Sequence, residues 1–324
     1  MTRLRIATRG SELALVQARH IASRIEKELG LDSELVVLHT TGDRILDRPL
    51  AKIGGKGLFI KEIEEALLDG RADLAVHSAK DVPARIAPGC RLAGYPERVD
   101  PRDALVARER GARLETLPPG ARVGTGSTRR IALLRRQRPD LEIVPLRGNV
   151  PTRIGKIEGE GLDAVILACA GMDRLGLTDR IDERISPDAM LPAVGQGLLA
   201  LETRAEDEWL ERLGALEDPR VAVRARAERA FQVRLGGDCS VPLAGFAELR
   251  DERGLRMRGL VASLDGRELA WAEQSGPQAE PEALGASVAE AVLAAGGEGI
   301  LAGLAEAEAE ANAEDEPSRG AGDD

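Results

Sequence analysis

The chain has 324 residues, 43% hydrophobic and 31% charged, with a formal net charge of −10. That length supports two or three domains with a substantial core. Its three cysteines (Cys90, Cys169, Cys239) and three histidines (His20, His39, His77) are too scattered for a disulfide framework, a zinc cluster or a histidine-built metal site, so no metal is expected.

The charge is unevenly spread. Residues 305–324 hold eight acids and one arginine, a net of −7, which leaves −3 for the other 304 residues. That end reads as a fraying Ala-Glu helix and a disordered acidic tail over 313–324. Aromatics make up 2%, which gives single-stranded nucleic acid no stacking platform. The N-terminus shows no apolar leader, and no run of about 18 apolar residues is evident. The expectation is a cytoplasmic protein with neither nucleic-acid nor membrane partners.

In chain order, residues 3–8 alternate as a strand, and Ser11 then suits the N-cap of a helix running to Gly30. Glu34–His39 reads as a second strand. A long Gly- and charge-rich loop follows, from Thr41 to Gly57, with Lys52 and Lys56 on it; its length suggests a mobile flap. A helix over Leu58–Leu68 leads to a strand at Ala72–His77 and the turn Ser78-Ala79-Lys80-Asp81-Val82-Pro83. This β-α-β-α-β order predicts a parallel sheet with crossover helices.

After Asp100-Pro101-Arg102-Asp103 the same grammar returns. The strand Arg122–Thr125 runs into Gly126-Ser127-Thr128-Arg129-Arg130 and a helix. The strand Ile143–Leu146 meets Arg147-Gly148-Asn149 and a helix through Ile157, and Ala164–Leu167 meets a helix near Ala170–Leu175. Beyond Pro192–Gly197, a strand at Leu198–Glu202 is expected to return to the first lobe. From about 219 a long helix, three apolar-rich runs with hairpin turns at Asp251–Gly254 and Asp265-Gly266, and a closing helix suggest a small α+β domain with a three-stranded antiparallel sheet. The fold expected is therefore α/β, with two similar doubly wound lobes around a cleft, like a periplasmic binding protein. The first lobe takes 1–98 with 197–215, the second 102–192, and the third domain 219–312.

Ligands of open parallel sheets bind beyond the carboxyl ends of the strands. Arg9, Ser11, Ser78, Lys80, Asp81, Ser127, Arg129, Arg130, Arg147 and Arg153 all fall at such ends or one turn further. Five arginines converging from two lobes imply a ligand rich in carboxylates or phosphates, because guanidinium pairs with both in two-pronged fashion. Gly124-Thr125-Gly126-Ser127 opens a helix and can cradle an anion, yet Arg129 stands where a dinucleotide fingerprint needs its third glycine, and no GK[ST] is present. Asp81 among cations stays ionised and suits stabilisation of a developing cation or proton transfer; the bland alternative is a turn-capping acid. A buried cysteine is expected inside a strand or helix, as Cys169 is in the run Ala164–Cys169, whereas Cys239, in Leu235-Gly236-Gly237-Asp238-Cys239-Ser240-Val241-Pro242, is read as lying on a loop. A thiolate there is placed to carry a covalent group, where a lone cysteine is otherwise a small buried hydrophobe.

The blocks Ile6–Ser11, Leu50–Phe59, His77–Pro83, Asp100–Asp103, Val123–Arg130, Arg147–Arg153, Pro192–Gly197 and the Cys239 loop, in this order, resemble those of the porphobilinogen deaminases, also called hydroxymethylbilane synthases. The resemblance implies a monomeric transferase of porphyrin and haem biosynthesis. It implies a dipyrromethane cofactor, built from porphobilinogen and held by a thioether to Cys239. Four further porphobilinogen molecules then add with loss of ammonia, and hydrolysis releases the linear tetrapyrrole hydroxymethylbilane. By the same resemblance, Asp81 stabilises cationic azafulvene species and moves protons. Arg9, Arg129, Arg130, Arg147, Arg153 and Arg174 bind carboxylates of cofactor or substrate, and Ser11, Ser78, Lys80, Thr125, Ser127 and Gln196 add lesser contacts. Lys52 and Lys56 lie on the active-site loop.

Ala79, Gly126, Pro151 and Asp238 depart from the family pattern without removing a charged group. Gly126 is expected to delete one hydroxyl contact, and Asp238 to raise the pKa of the neighbouring thiol. The rival readings are a solute receptor or ligand-sensing domain of the same two-lobe plan, and a phosphate-ester enzyme. The receptor leaves Cys239, Asp81 and the third domain without a role. The phosphate-ester enzyme lacks metal ligands.

Overall fold

The structure is a computed structural model describing residues 3–40, 60–236 and 241–314. The expectations for Lys52, Lys56, Asp238, Cys239 and the end of the tail fall outside those residues.

The first lobe is a five-stranded sheet in the order β2-β1-β3-β10-β4, formed by β1 (Leu4–Arg9), β2 (Ser33–Leu38), β3 (Leu74–Ser78), β4 (Cys90–Gly94) and β10 (Leu199–Arg204). Side chains alternate across it. Leu4 and Ile6 pack on Ile21 and Ile25 of the helix Glu12–Leu29, while Ala7 and Ala75 face Ile63 and Leu67 of the helix Lys61–Leu68. Helices on both faces leave only the strand ends open. Ser11 starts the first helix by accepting the Ala14 N–H at 3.3 Å, and Gly30 ends it with φ of 65°.

The second lobe repeats the plan with β5 (Asp103–Ala107), β6 (Arg122–Thr125), β7 (Glu142–Pro145), β8 (Ala164–Ala168) and β9 (Glu183–Ile185) in the order β7-β6-β8-β5-β9. Leu105, Val123 and Ile166 face Leu133 and Leu134 of the helix Thr128–Gln137; Val106, Val165 and Leu167 face Ile154 and Ile157 of the helix Val150–Gly159.

The sheets are mixed, where the sequence pattern predicted parallel ones. In the first lobe β10 lies antiparallel to β3 and β4; in the second β5 lies antiparallel to β8 and β9. Both are strands that the chain inserts on arriving from the other lobe. The strands Cys90–Gly94, Asp103–Ala107 and Glu183–Ile185 were absent from the sequence reading. Each has at most five residues, too short for alternation to stand out.

The third unit is the helix Pro219–Leu235, the antiparallel sheet β11 (Leu243–Leu249), β12 (Gly254–Ala262) and β13 (Leu269–Pro277), and the helix Pro281–Val292. It packs on both lobes. Ala222 and Ala225 join Val82, Tyr95 and Leu198 of the first, and Phe246 and Leu260 join Leu133 and Leu134 of the second. Glu228, fully buried, accepts N–H bonds from Arg98, Gly195 and Ala247 at 2.6, 2.8 and 2.9 Å, tying this unit to both chain crossings. The closing helix continues past a kink at Gly296, and Pro281–Glu310 is long and apolar enough to span a membrane by composition, with mean hydropathy 1.5. No such stretch was expected from the sequence. Leu284, Val288 and Val292 of its first half are buried in the core of the third unit.

Candidate functional site

The two lobes meet over a cleft of about 500 Å³, open to solvent, lined by Gln17, Ser78 and Lys80 from the first and Arg130, Arg153 and Arg174 from the second. Each lies at a strand's carboxyl end or in the turn or helix that follows it. Ser78 ends β3, and Lys80 and Asp81 follow on a single 3₁₀ turn. Gly195, on the return crossing, comes so near the backbone between Ala79 and Lys80 that a Cβ there would lie 2.9 Å away. The Lys80 ammonium is held below its usual range, first by burial and then by Arg130 and Arg153, against the opposing pull of Asp81 and Asp103. Among the described residues, Asp81 makes no side-chain hydrogen bond; it acts on Lys80 and Arg153 through its field.

Behind the cleft lies a carboxylate that the sequence reading left without a role. Asp103, completely buried at the start of β5, receives Arg129 at 2.8 and 3.1 Å, Arg130 at 2.9 and 2.7 Å and Gln196 at 3.1 Å. Burial alone would raise its pKa, but the two guanidiniums prevail and hold it well below the carboxylate range. Arg129 also donates to the Leu191 carbonyl, Arg130 to that of Ile166, and Gln196 to that of Pro101. These three side chains, expected to face the ligand, are thus anchored to an internal acid; of them only Arg130 lines the cleft.

Arg153 is the more exposed to ligand chemistry. Its guanidinium is lowered to about 10, first by burial and then by Arg130 and Arg147, and its Nε donates to the Gly148 carbonyl at 2.6 Å. Burial also lowers Arg147. Arg174 donates through Nη2 to Glu97 at 2.9 Å and to the Gly197 carbonyl at 3.1 Å. Arg9 is half-buried at the end of β1.

The smaller polar groups are largely occupied locally. Ser11 and Ser127 cap their helices, and the Thr125 hydroxyl accepts the Ser127 N–H at 3.3 Å. The N-terminus of the helix Thr128–Gln137, read as an anion cradle, is therefore served in part by its own Ser127. A Cβ at Gly126 would lie 2.5 Å from the Leu146 carbonyl, so serine there would strain the backbone rather than simply add a hydroxyl. Gln17 escaped the sequence reading: it sits mid-helix, and only the fold brings its amide within 2.9 Å of the Ser78 hydroxyl.

Residues 4–212 match the family model "Porphobilinogen deaminase, dipyromethane cofactor binding domain", and 222–294 match "Porphobilinogen deaminase, C-terminal domain". The chain belongs to the porphobilinogen deaminase family. The porphobilinogen deaminase of Syntrophotalea carbinolica is 53% identical over 93% of this chain and 96% of its own length; that of Syntrophus aciditrophicus is 51% identical over 92% and 97%. The periplasmic VFT2 domain of Bordetella pertussis BvgS overlays 66% of this chain and 86% of its own at 17% identity, with a TM-score of 0.41. As a porphobilinogen deaminase, the chain is a transferase of tetrapyrrole biosynthesis that polymerises porphobilinogen on a dipyrromethane cofactor. The cleft suits that group. Its lining carries the cations Lys80, Arg130, Arg153 and Arg174 and no carboxylate among the described residues.

Proposed function

We propose that Cys239 carries the dipyrromethane through a thioether, and that the cleft between the lobes holds it and the incoming porphobilinogen by their carboxylates. One observation carries this: Lys80, Arg130, Arg153 and Arg174 line a single cleft one residue from Asp81. Cysteine chemistry supports the attachment point. Burial pushes the thiols of Cys90 and Cys169 up to about 12, which leaves both poorly nucleophilic at neutral pH.

When bound, the cofactor supplies the terminal pyrrole on which units are added. The chain's own part is binding, charge and proton placement. Arg130, Arg153 and Lys80 meet cofactor carboxylates, with Arg129 and Gln196 fixed through Asp103, and Ser11, Ser78, Thr125 and Ser127 beside them. Arg9, Arg147, Arg153 and Arg174 take substrate carboxylates. The acetate and propionate of each ring offset the cost of keeping several cations half-buried.

Asp81 faces the opposite task. Loss of ammonia leaves positive charge on the arriving ring, and a carboxylate that makes no side-chain hydrogen bond among the described residues stabilises that charge and accepts the proton released on coupling. Lys52 and Lys56 belong to the loop expected to cover the cleft.

The domain limits expected from the sequence, the monomeric state and the cytoplasmic location belong to the same proposal; sedimentation tests the monomer. The function is tested with Cys239→Ala. Wild type releases ammonia and linear tetrapyrrole from porphobilinogen, and the variant neither gains mass nor turns over; turnover by Cys239→Ala would refute the proposal.

A further inference from the structure

Arg174 stands at the end of the short helix Cys169–Arg174, in the second lobe, and its guanidinium lines the cleft. Both of its described bonds leave from Nη2, one to the Glu97 carboxylate and one to the Gly197 carbonyl. A guanidinium offers two pronged faces to a carboxylate: side-on through Nε and Nη2, and end-on through Nη1 and Nη2. Nη2 belongs to both. With its two hydrogens committed, Arg174 has neither face available for a two-pronged grip on a ligand.

Glu97 does not depend on Arg174 alone. Its other oxygen lies 2.8 Å from His20 Nε2, on the first-lobe helix that also presents Gln17 to the cleft. The Glu97 side chain keeps 24% of its surface exposed, against 10% for Arg174. It can therefore turn from Arg174 to His20 and water without becoming a buried, unpaired charge.

We propose that Glu97 is an internal stand-in for a substrate carboxylate: it occupies Arg174 in the resting enzyme, and porphobilinogen's carboxylate displaces it. Glu97 thereby sets substrate affinity as a positioning residue, touching Arg174 and not the reacting atoms. No covalent step is involved; one ion pair exchanges for another, and His20 retains the displaced acid. The inference rests on reading Arg174 as a ligand for substrate carboxylate.

Two measurements on Glu97→Gln test it. The amide keeps the shape and an acceptor but not the charge, so displacement becomes easier. The expected result is a KM for porphobilinogen lower by roughly two- to fivefold, the range of a partly exposed ion pair, with kcat unchanged. The second is calorimetric binding of the unreactive pyrrole diacid that lacks the aminomethyl group, whose Kd should tighten by the same factor. Glu97→Ala should shift both in the same direction. A KM and Kd that stay constant or rise overturn the proposal, as does a fall in kcat alone, the mark of a merely structural residue. Arg174→Ala separates the two readings. If it leaves KM unaltered, the assignment of Arg174 fails; if it raises KM while Glu97→Gln changes nothing, only the role of Glu97 fails.

Discussion

Asp103 and Arg130, both buried, meet through two N–H bonds to one carboxylate oxygen, at 2.9 and 2.7 Å. Asp103 begins the strand that enters the second lobe, and Gln196, on the crossing that leaves it, bonds the same oxygen at 3.1 Å. The acid thus joins both chain crossings to the arginine pair behind the cofactor cleft.

Asp103→Asn leaves Arg129 and Arg130 buried without their counter-charge. The expected cost is roughly 3–5 kcal/mol of unfolding free energy in urea titration, together with a lower fraction of cofactor-loaded protein. The sign with pH follows from the depressed pKa. A carboxylate held below its unfolded value contributes stability above that value, near pH 4, and loses it as pH falls from there toward its folded pKa. Wild type should therefore lose stability in strong acid over a window in which Asp103→Asn, already lacking this contribution, is flatter.

Asp81 has no hydrogen-bond partner to lose among the described residues, so Asp81→Ala should leave the circular dichroism spectrum and melting midpoint nearly unchanged. Turnover should fall by roughly 10²–10⁴-fold, the span of a lost acid–base group. Near-normal turnover would remove Asp81 from the reaction.

Arg153 illustrates a site held at the expense of stability. A base whose folded pKa, about 10, lies below its usual value penalises the fold while charged, and the penalty fades as pH rises through 10 and beyond. At neutral pH the guanidinium is charged and the penalty is present. Arg153→Met should raise the apo-protein's melting midpoint by about 2–4 °C while lowering the loaded fraction, read by calorimetry and intact mass.

Phe231, on the long helix of the third unit, lies over Gly245 and Gly259, which are cross-strand partners. A Cβ at Gly259 would sit 2.3 Å from the Phe231 ring. Gly259→Ala should destabilise the protein by about 1–3 kcal/mol in urea titration, and Gly259→Ala with Phe231→Leu should recover part of it.

Much of this arrangement was legible in the residues. Strand–turn–helix punctuation placed Ser78, Lys80, Asp81, Arg130 and Arg153 at strand ends or one turn further, and in the fold Ser78, Lys80, Arg130 and Arg153 line one cleft. Pairing between charges was not legible. For Arg129 and Arg130 the sequence shows the charges but not what neutralises them; the neutralising acid sits 26 and 27 residues away on another strand. Glu97 was hidden for the same reason, since its two partners come from different lobes. The antiparallel insertion of β5 and β10 depends on where the chain re-enters each sheet, which no local pattern encodes.

The most direct test of the central claim is the intact mass of the purified, denatured protein, incubated with porphobilinogen if unmodified, followed by peptide mapping. The account predicts an excess equal to two porphobilinogen units less two ammonias, located on Cys239. An excess mapped to another residue, or a chain that stays unmodified after incubation, would contradict it.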